Sequence, residues 1–469
     1  MAKAWDIICI GAGSAGMPLA IKAAERGAKI LQLEADYKVG GTLHLSAGQI
    51  SGAGTKLQKM HGIVDSVEEH YRDAQRVAKG SIDPVVLKLN CDNAGDTLDW
   101  LMDLGLQYAP GTPVAGEAHE PYSTRRYQWG TNAAVSILNV LKPVHDTLVR
   151  AGKIDLRLQH RMVGLITNSA GAVIGVECET PSGKQAFHGK NIVLASGGYA
   201  ANPDLWAEMS PDYPLCSYCN PYSRGDGLLA ARKLGAVVDG ADKYLNTFAG
   251  YRENPADPTS GAFLLFSPRM RNVWEIFVNR NGERFMQEDH PSIDYRERKL
   301  LAQPGTEMNV IFDAGIAQGA STIQPFDEKT FRSKFGAHPH WVKAGSIREL
   351  AAKLRLPGAQ LAKTIAAYNA AVDKGIDKSW GKHFLIRKIE KAPFYGIKAM
   401  GVTVLSPAGL KVDKQLRVLT KSGKAIPNLY AAGEVLGFAR TSGDTFVGGL
   451  SLTPALTFGK LLGEKMLKW

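Results

Sequence analysis

Cysteine is scarce: Cys9, Cys91, Cys178, Cys216 and Cys219 are the only five in 469 residues. An odd, low count excludes a secreted disulfide scaffold and points to a reducing compartment. Long apolar runs are missing: no window approaches the ~18 uncharged residues that a membrane span needs. Runs of like charge are missing as well. The formal charge is +11, but the basic residues are spread along the chain, and the densest group is only Arg296, Arg298 and Lys299. Such scatter reads as a solvated basic face and predicts no nucleic-acid partner. There is no internal repeat, no low-complexity tract and no G-X-Y period. Apolar residues at 45% and charged residues at 22% exclude bulk disorder. At about 150 residues per domain, two or three domains are expected. The chain enters a strand-like segment at Trp5 with no secretory signal pattern before it, so the cytoplasm is the expected location.

Glycine, in contrast, is plentiful: 50 of the 469 residues, above the usual ~7%. Its placement carries the argument. Trp5 to Ile10 reads as a buried strand, Met17 to Arg26 as a helix and Ala28 to Leu33 as a second strand. Between the first two lies Gly11-Ala-Gly13-Ser-Ala15-Gly16. In a β-α-β unit the first glycine permits the tight turn, the second admits a pyrophosphate and the third lets helix pack on strand. The helix N-terminus then offers free N–H groups and a positive dipole end to the phosphates. Glu34, at the end of the second strand, is placed to accept hydrogen bonds from a ribose diol. A dinucleotide site follows.

Further features favour FAD. Gly40-Gly41-Thr42 and Ser46-Ala-Gly48 follow the acidic strand. Ser196-Gly-Gly198 and Leu429-Tyr-Ala-Ala-Gly-Glu434 are later strand-to-glycine turns. A terminal helix begins near Gly448-Gly449-Leu-Ser451, and its first amides suit negative charge on a reduced flavin ring. Cys216-x-x-Cys219 lacks a second pair or a histidine partner, so it reads as two ordinary thiols, and no metal site is expected.

These landmarks together resemble a family of FAD-dependent oxidoreductases that contains soluble fumarate reductases, succinate dehydrogenase flavoprotein subunits and 3-ketosteroid dehydrogenases. The resemblance rests on G-A-G-S-A-G at 11–16, G-G-T at 40–42, A-S-G-G-Y at 195–199, R-G-D-G at 224–227, F-V-N-R-N-G-E-R-F at 277–285, L-Y-A-A-G-E at 429–434 and L-T-P-A-L-T-F-G at 452–459. It implies an α/β fold: a Rossmann-like FAD-binding domain (1–240 and 398–469) interrupted by an inserted α+β cap domain (241–397). It also implies non-covalent FAD, held by Gly11, Gly13, Ala15, Gly16, Glu34, Gly41, Thr42, Ser46, Gly48, Val163, Gly198, Asn202, Asp226, Glu434, Ser451 and Leu452.

The same resemblance implies chemistry at a CH–CH bond. Where fumarate reductases carry a carboxylate-clamping Arg this chain has Phe446, and where they carry an Arg acid it has Ser292. Carboxylate recognition needs the guanidinium fork, so a neutral carbonyl compound is the expected substrate. The leading expectation is α,β-dehydrogenation of a cyclic ketone or ketosteroid. Reduction of an activated alkene is the alternative, and a flavin-binding protein that works by association, as an RNA-binding or an electron-transfer subunit, is a third. Each enzymatic reading needs an external electron acceptor or donor. The candidate reacting groups are Tyr295, one helical turn after Ser292, together with Tyr122, Tyr127 and the amides of Gly448 and Gly449. Arg296 and Arg298 are the candidate neighbours that would lower the pKa of Tyr295. Tyr244, Phe248, Tyr251, Phe263, Phe266 and Trp274 suggest an apolar pocket.

Overall fold

The computed structural model describes residues 5–266 and 271–468 and resolves two compact units. The first combines residues 1–210, 219–244 and 405–469. The second combines 211–218 and 245–404 and is thus inserted in the chain of the first. A strand at Phe394–Val402 lies wholly in the second unit, so that unit runs past residue 397.

The first unit is built on β1 (Trp5–Ile10), α1 (Gly16–Glu25), β2 (Ile30–Leu33), α2 (Val135–Arg150), β3 (Ile154–Arg157), β4 (Gly183–Leu194), β5 (Arg417–Leu419), β6 (Ala425–Ala431) and α3 (Leu452–Lys465). Its eight-stranded main sheet has the order β5-β6-β4-β1-β2-β3, parallel along this path except for the edge hairpin β5-β6, and the strands Arg161–Thr167 and Val173–Thr180 join it through antiparallel pairing to β4. Parallel strands covered on both faces read as continuous apolar runs, and Ile7, Ile8, Ile30, Leu31, Ile192 and Val193 are buried accordingly. The register aligns the strand ends: Ile10 pairs with Leu33 and Leu194, and Leu194 with Ala431. Gly11, Glu34, Ala195 and Ala432 therefore emerge together at one carboxyl edge, the usual ligand edge of an open α/β sheet.

Helix α3 crosses α1 closely. A Cβ at Gly459 would stand 2.0 Å from the Ala15 carbonyl oxygen, so this helix needs a small residue there. Helices α1, α2 and α3 share one apolar core through Met17, Ile21, Ile137, Leu141 and Leu456.

The second unit has an antiparallel sheet in which Phe394–Val402 pairs with Thr247–Arg252, Glu307–Asp313 and Trp341–Ala344. Helices Ile347–Leu354 and Gly358–Lys374 contribute Leu350, Leu354, Leu361 and Ile365 to its core. Phe248, Phe266 and Phe277 meet edge to face or tilted, at centroid distances of 5.0–6.2 Å. Together with Tyr251 they form that core. Three of the six aromatic residues expected to line a pocket, Phe248, Tyr251 and Phe266, thus lie in this core, and Trp274 packs against it, a favourable fate for large apolar rings. Tyr244 belongs to the first unit.

Candidate active site

The loop after β1 is shaped by backbone contacts. Gly11 has φ +108°, and a Cβ there would lie 2.3 Å from the Ala195 carbonyl oxygen. Helix α1 begins with neither a side-chain cap on Ala15 nor an acid in its first turn. Met17 N–H donates to the Gly13 carbonyl and Pro18 has no N–H, so what this end offers an anion is the positive dipole of the helix beside the glycine loop. The cleft beside this loop is lined by Gly11, Gly13, Ala15, Glu34, Gly41, Thr42, Asp226 and Glu434. Ser196, also on the wall, has a buried hydroxyl without a partner among the described residues. A smaller cleft shares Gly433 and Glu434 and reaches Ser451, whose hydroxyl is likewise unpartnered. A helix end, glycine walls and orphaned hydroxyls fit an extended dinucleotide.

Glu34 is held from two sides: Ala12 N–H donates to one oxygen at 2.7 Å and Asp36 N–H to the other at 2.9 Å. Burial raises its pKa, and the two amide donors oppose that shift. Asp226 is engaged by Arg161 in a bidentate pair at 2.7 and 2.9 Å.

The remaining sequence candidates for FAD lie around the cleft and do not line it. Gly16 packs under Gly11, and Gly198 packs against Glu434 and Ser406. The Asn202 side chain accepts from Leu205 N–H as a helix cap. Ser46 Oγ accepts from Gly48 N–H, and Gly48 packs against Ala133 and Ala134. Val163 is flanked by the lining residue Met162, and Leu452 joins the shared helix core. His160, Asn220, Tyr222 and Ser223 line the cleft without any sequence signal. Gly197 and Gly433 do so from glycine turns that were visible in the sequence.

A second cluster surrounds Tyr122. Its hydroxyl donates to the Gly448 carbonyl at 2.6 Å and lies 3.3 Å from Ser51 Oγ. Tyr127, on a strand paired with Ile50–Ser51, touches Gly448, where a Cβ would be 3.0 Å from its ring. Burial raises both phenols above the ordinary value, the opposite of what a proton-abstracting base needs. Both pack against the Gly448–Gly449 turn, Tyr122 through its hydrogen bond and Tyr127 through its ring. Beneath them Arg126 bonds Asp65 and Asp73, with all three side chains buried. The His70 ring packs edge-on to Tyr122. Phe446 meets His119 in a tilted contact, 4.2 Å between centroids.

In the second unit, Ser292 Oγ accepts from Tyr295 N–H and so caps the helix Ile293–Leu301. Tyr295 stacks on His290 at 4.1 Å, and its oxygen accepts from Gln287 N–H. Arg296 points away from this pair. It is fully buried over the Phe248 ring and donates to the Phe266 carbonyl. Its Nε and Nη2 have no partner among the described residues, and burial pushes its pKa down to about 10. Cys216 and Cys219 are both free thiols.

Two buried histidines make a pH prediction. Desolvation lowers the pKa of His70 to about 3 and of His145 to about 4, against about 6.5 in an unfolded chain. Between these values the unfolded state binds protons that the fold excludes, so stability falls as pH drops below about 6.5. At pH 5 each ring forfeits about 2 kcal/mol. Denaturant melts at pH 7 and pH 5 should show that loss, and His70→Phe should recover about half of it. An equal loss in the variant would refute the assignment.

Comparison with known proteins agrees with this geometry. The family model described as FAD binding domain matches residues 6–445. A probable fumarate reductase of Shewanella frigidimarina (strain NCIMB 400) is 28% identical over 99% of this chain and 75% of its own. A vinyl phenol reductase of Lactiplantibacillus plantarum is 28% identical over 94% of this chain and 91% of its own. The solved 3-ketosteroid-Δ4-(5α)-dehydrogenase of Rhodococcus jostii RHA1 shares the fold, with a TM-score of 0.70 at 23% identity over 100% of this chain and 98% of that one. No described helix is long and apolar enough to cross a membrane. With a cleft built for a dinucleotide and a family match over most of its length, the chain belongs to the FAD-binding-domain family and is an FAD-dependent oxidoreductase of the fumarate reductase kind.

Proposed function

We propose that the protein reduces a carbon–carbon double bond conjugated to a neutral polar group, using electrons from an external donor. The observation that carries this reading is Phe446. At the position where the resemblance puts a carboxylate-binding Arg, the chain presents an aromatic ring in tilted contact with His119. A flat conjugated substrate suits such a surface, whereas a dicarboxylate leaves its charge unpaired there. The reductive direction is supported by the two relatives, both named as reductases, one of them for an alkene without a carboxylate.

FAD, when bound, supplies hydride transfer at its flavin ring. The chain's own groups do the rest. The Gly11–Gly16 loop and the positive end of α1 would hold the pyrophosphate, and Glu34 the ribose. The amide of Gly449, in a turn anchored by Tyr122, offers a hydrogen bond to the substrate's polar end.

The test is anaerobic. Protein reduced with dithionite is mixed with vinyl phenols, enones and fumarate, and recovery of flavin absorbance is followed. Reoxidation by the neutral conjugated alkenes but not by fumarate is expected. Rapid reoxidation by fumarate would overturn the substrate class. Bleaching of the oxidised protein by a saturated ketone would favour dehydrogenation instead.

A further inference from the structure

Gln32 is an anomaly in β2. Its neighbours Ile30, Leu31 and Leu33 are apolar and buried, and Gln32 itself is 0% exposed. A buried amide is costly unless both its ends are bonded. Here they are. Gln32 Nε2 donates to the Gly11 carbonyl at 3.1 Å, and Oε1 meets His145 Nε2 of α2 at 2.6 Å. A carbonyl can only accept, so the Gln32 amide nitrogen faces Gly11 and its oxygen faces His145. His145 therefore carries its proton on Nε2 and donates it.

The bonded carbonyl belongs to the peptide that joins Gly11 to Ala12. In a trans peptide the carbonyl and the N–H point in opposite directions. With the carbonyl turned inward to Gln32, the Ala12 N–H points at Glu34 and reaches its carboxylate at 2.7 Å. The other Glu34 oxygen takes the Asp36 N–H. One hydrogen-bonded line thus runs from His145 through Gln32 and the Gly11–Ala12 peptide to Glu34.

We propose that Gln32 and His145 are positioning residues for dinucleotide binding: they lock the Gly11–Ala12 peptide, and through it the attitude of the Glu34 carboxylate toward the FAD ribose. Replacing both partners of a buried bond by apolar groups of similar shape is often close to neutral, whereas a single replacement leaves a buried group unpaired, so the melting of each apoprotein is recorded beside its affinity. What an apolar pair cannot do is orient a peptide. The partners that orient metal-ligating side chains change metal affinity or activity by about 10- to 100-fold, which sets the scale for a group that orients a ligand-binding one. The proposal rests on Glu34 as the ribose ligand.

The experiment is FAD titration of apoprotein, followed by flavin fluorescence, with melting of each apoprotein as a control. Gln32→Met, close to isosteric, is expected to raise the Kd for FAD about tenfold. His145→Leu, which leaves the Gln32–Gly11 bond in place, should raise it by less. In a Glu34→Ala background, Gln32→Met should add nothing further, because the group it positions is gone. A merely structural role would lower affinity equally in both backgrounds. Unchanged affinity in Gln32→Met, or full additivity with Glu34→Ala, overturns the proposal. If Glu34→Ala alone leaves the Kd unchanged, the ribose assignment fails first, and that result is separate from the Gln32 result.

Discussion

Gly11→Ala protein is expected to purify without FAD, with its Kd raised at least about a hundredfold. Two independent effects act at this residue. At φ +108° any side chain is strained, at a cost of about 1–3 kcal/mol. The added Cβ would also stand 2.3 Å from the Ala195 carbonyl oxygen and 2.9 Å from its carbon. Those atoms are backbone at the end of β4 and cannot rotate away. Relief requires β1 and β4 to part at the sheet edge where Gly11, Ala195 and Glu34 emerge, which spoils the phosphate loop directly. Gly27→Ala separates the two effects. Gly27 has φ +81° but nothing within 4 Å of a Cβ. It should lose stability of the same order through strain alone and keep its FAD. The check is the ratio of flavin to protein absorbance after purification, with added FAD as a rescue. A Gly11→Ala protein that binds FAD like the parent would show that the close approach can relax.

The β1-α1-β2 unit is legible in the sequence because each of its demands falls on a single residue type at a short spacing. The Gly11 to Gly16 pattern, the buried strand before it and Glu34 after it all lie within one local segment. The cleft walls from His160, Asn220 and Tyr222 are not legible in this way. They arrive from distant loops, and no spacing rule connects them to Gly11. The extent of the inserted unit is hidden for a related reason. Phe394–Val402 has the apolar character of a Rossmann strand, and only its antiparallel pairing with Glu307–Asp313 assigns it to the other sheet. Aromatic composition misleads in the same unit: rings at Phe248, Tyr251 and Phe266 suit a pocket or a core equally, and contact decides for the core. Gln32 is visible as a polar residue in an apolar strand, but its two partners come from the preceding loop and from α2. Helix α2 follows a three-and-four spacing, burying Ile137, Leu138, Leu141 and His145 on one face, whereas α3 is buried on every side from Leu452 to Gly463.

Tyr122→Phe is expected to lower kcat by about 10- to 100-fold while leaving bound FAD intact. The Tyr122 hydroxyl donates to the Gly448 carbonyl at 2.6 Å. The peptide it holds is the one whose N–H belongs to Gly449. With the carbonyl fixed toward Tyr122, that N–H is aimed the opposite way, and the bond at the carbonyl polarises the amide into a better donor. The turn has little other freedom. Gly449 sits at φ +83°, 2.4 Å from Ser51 N if a Cβ is placed on it, and the Tyr127 ring closes on Gly448. Removal of one preorganised donor from a reacting oxygen costs about 10²–10³ in kcat in enzymes where it has been isolated. Here the donor remains and only its aim is loosened, so a smaller loss follows. Burial keeps the Tyr122 phenol protonated, so the effect should not depend on pH across the neutral range. That separates an anchor from a base. The measurement is kcat and KM for a neutral conjugated alkene from pH 6 to 9, with the flavin spectrum recorded alongside. An anchor predicts a uniform drop in kcat and a small change in KM. A drop confined to one side of a titration would instead make Tyr122 a proton carrier. An unchanged kcat would place the Gly449 amide outside the reaction.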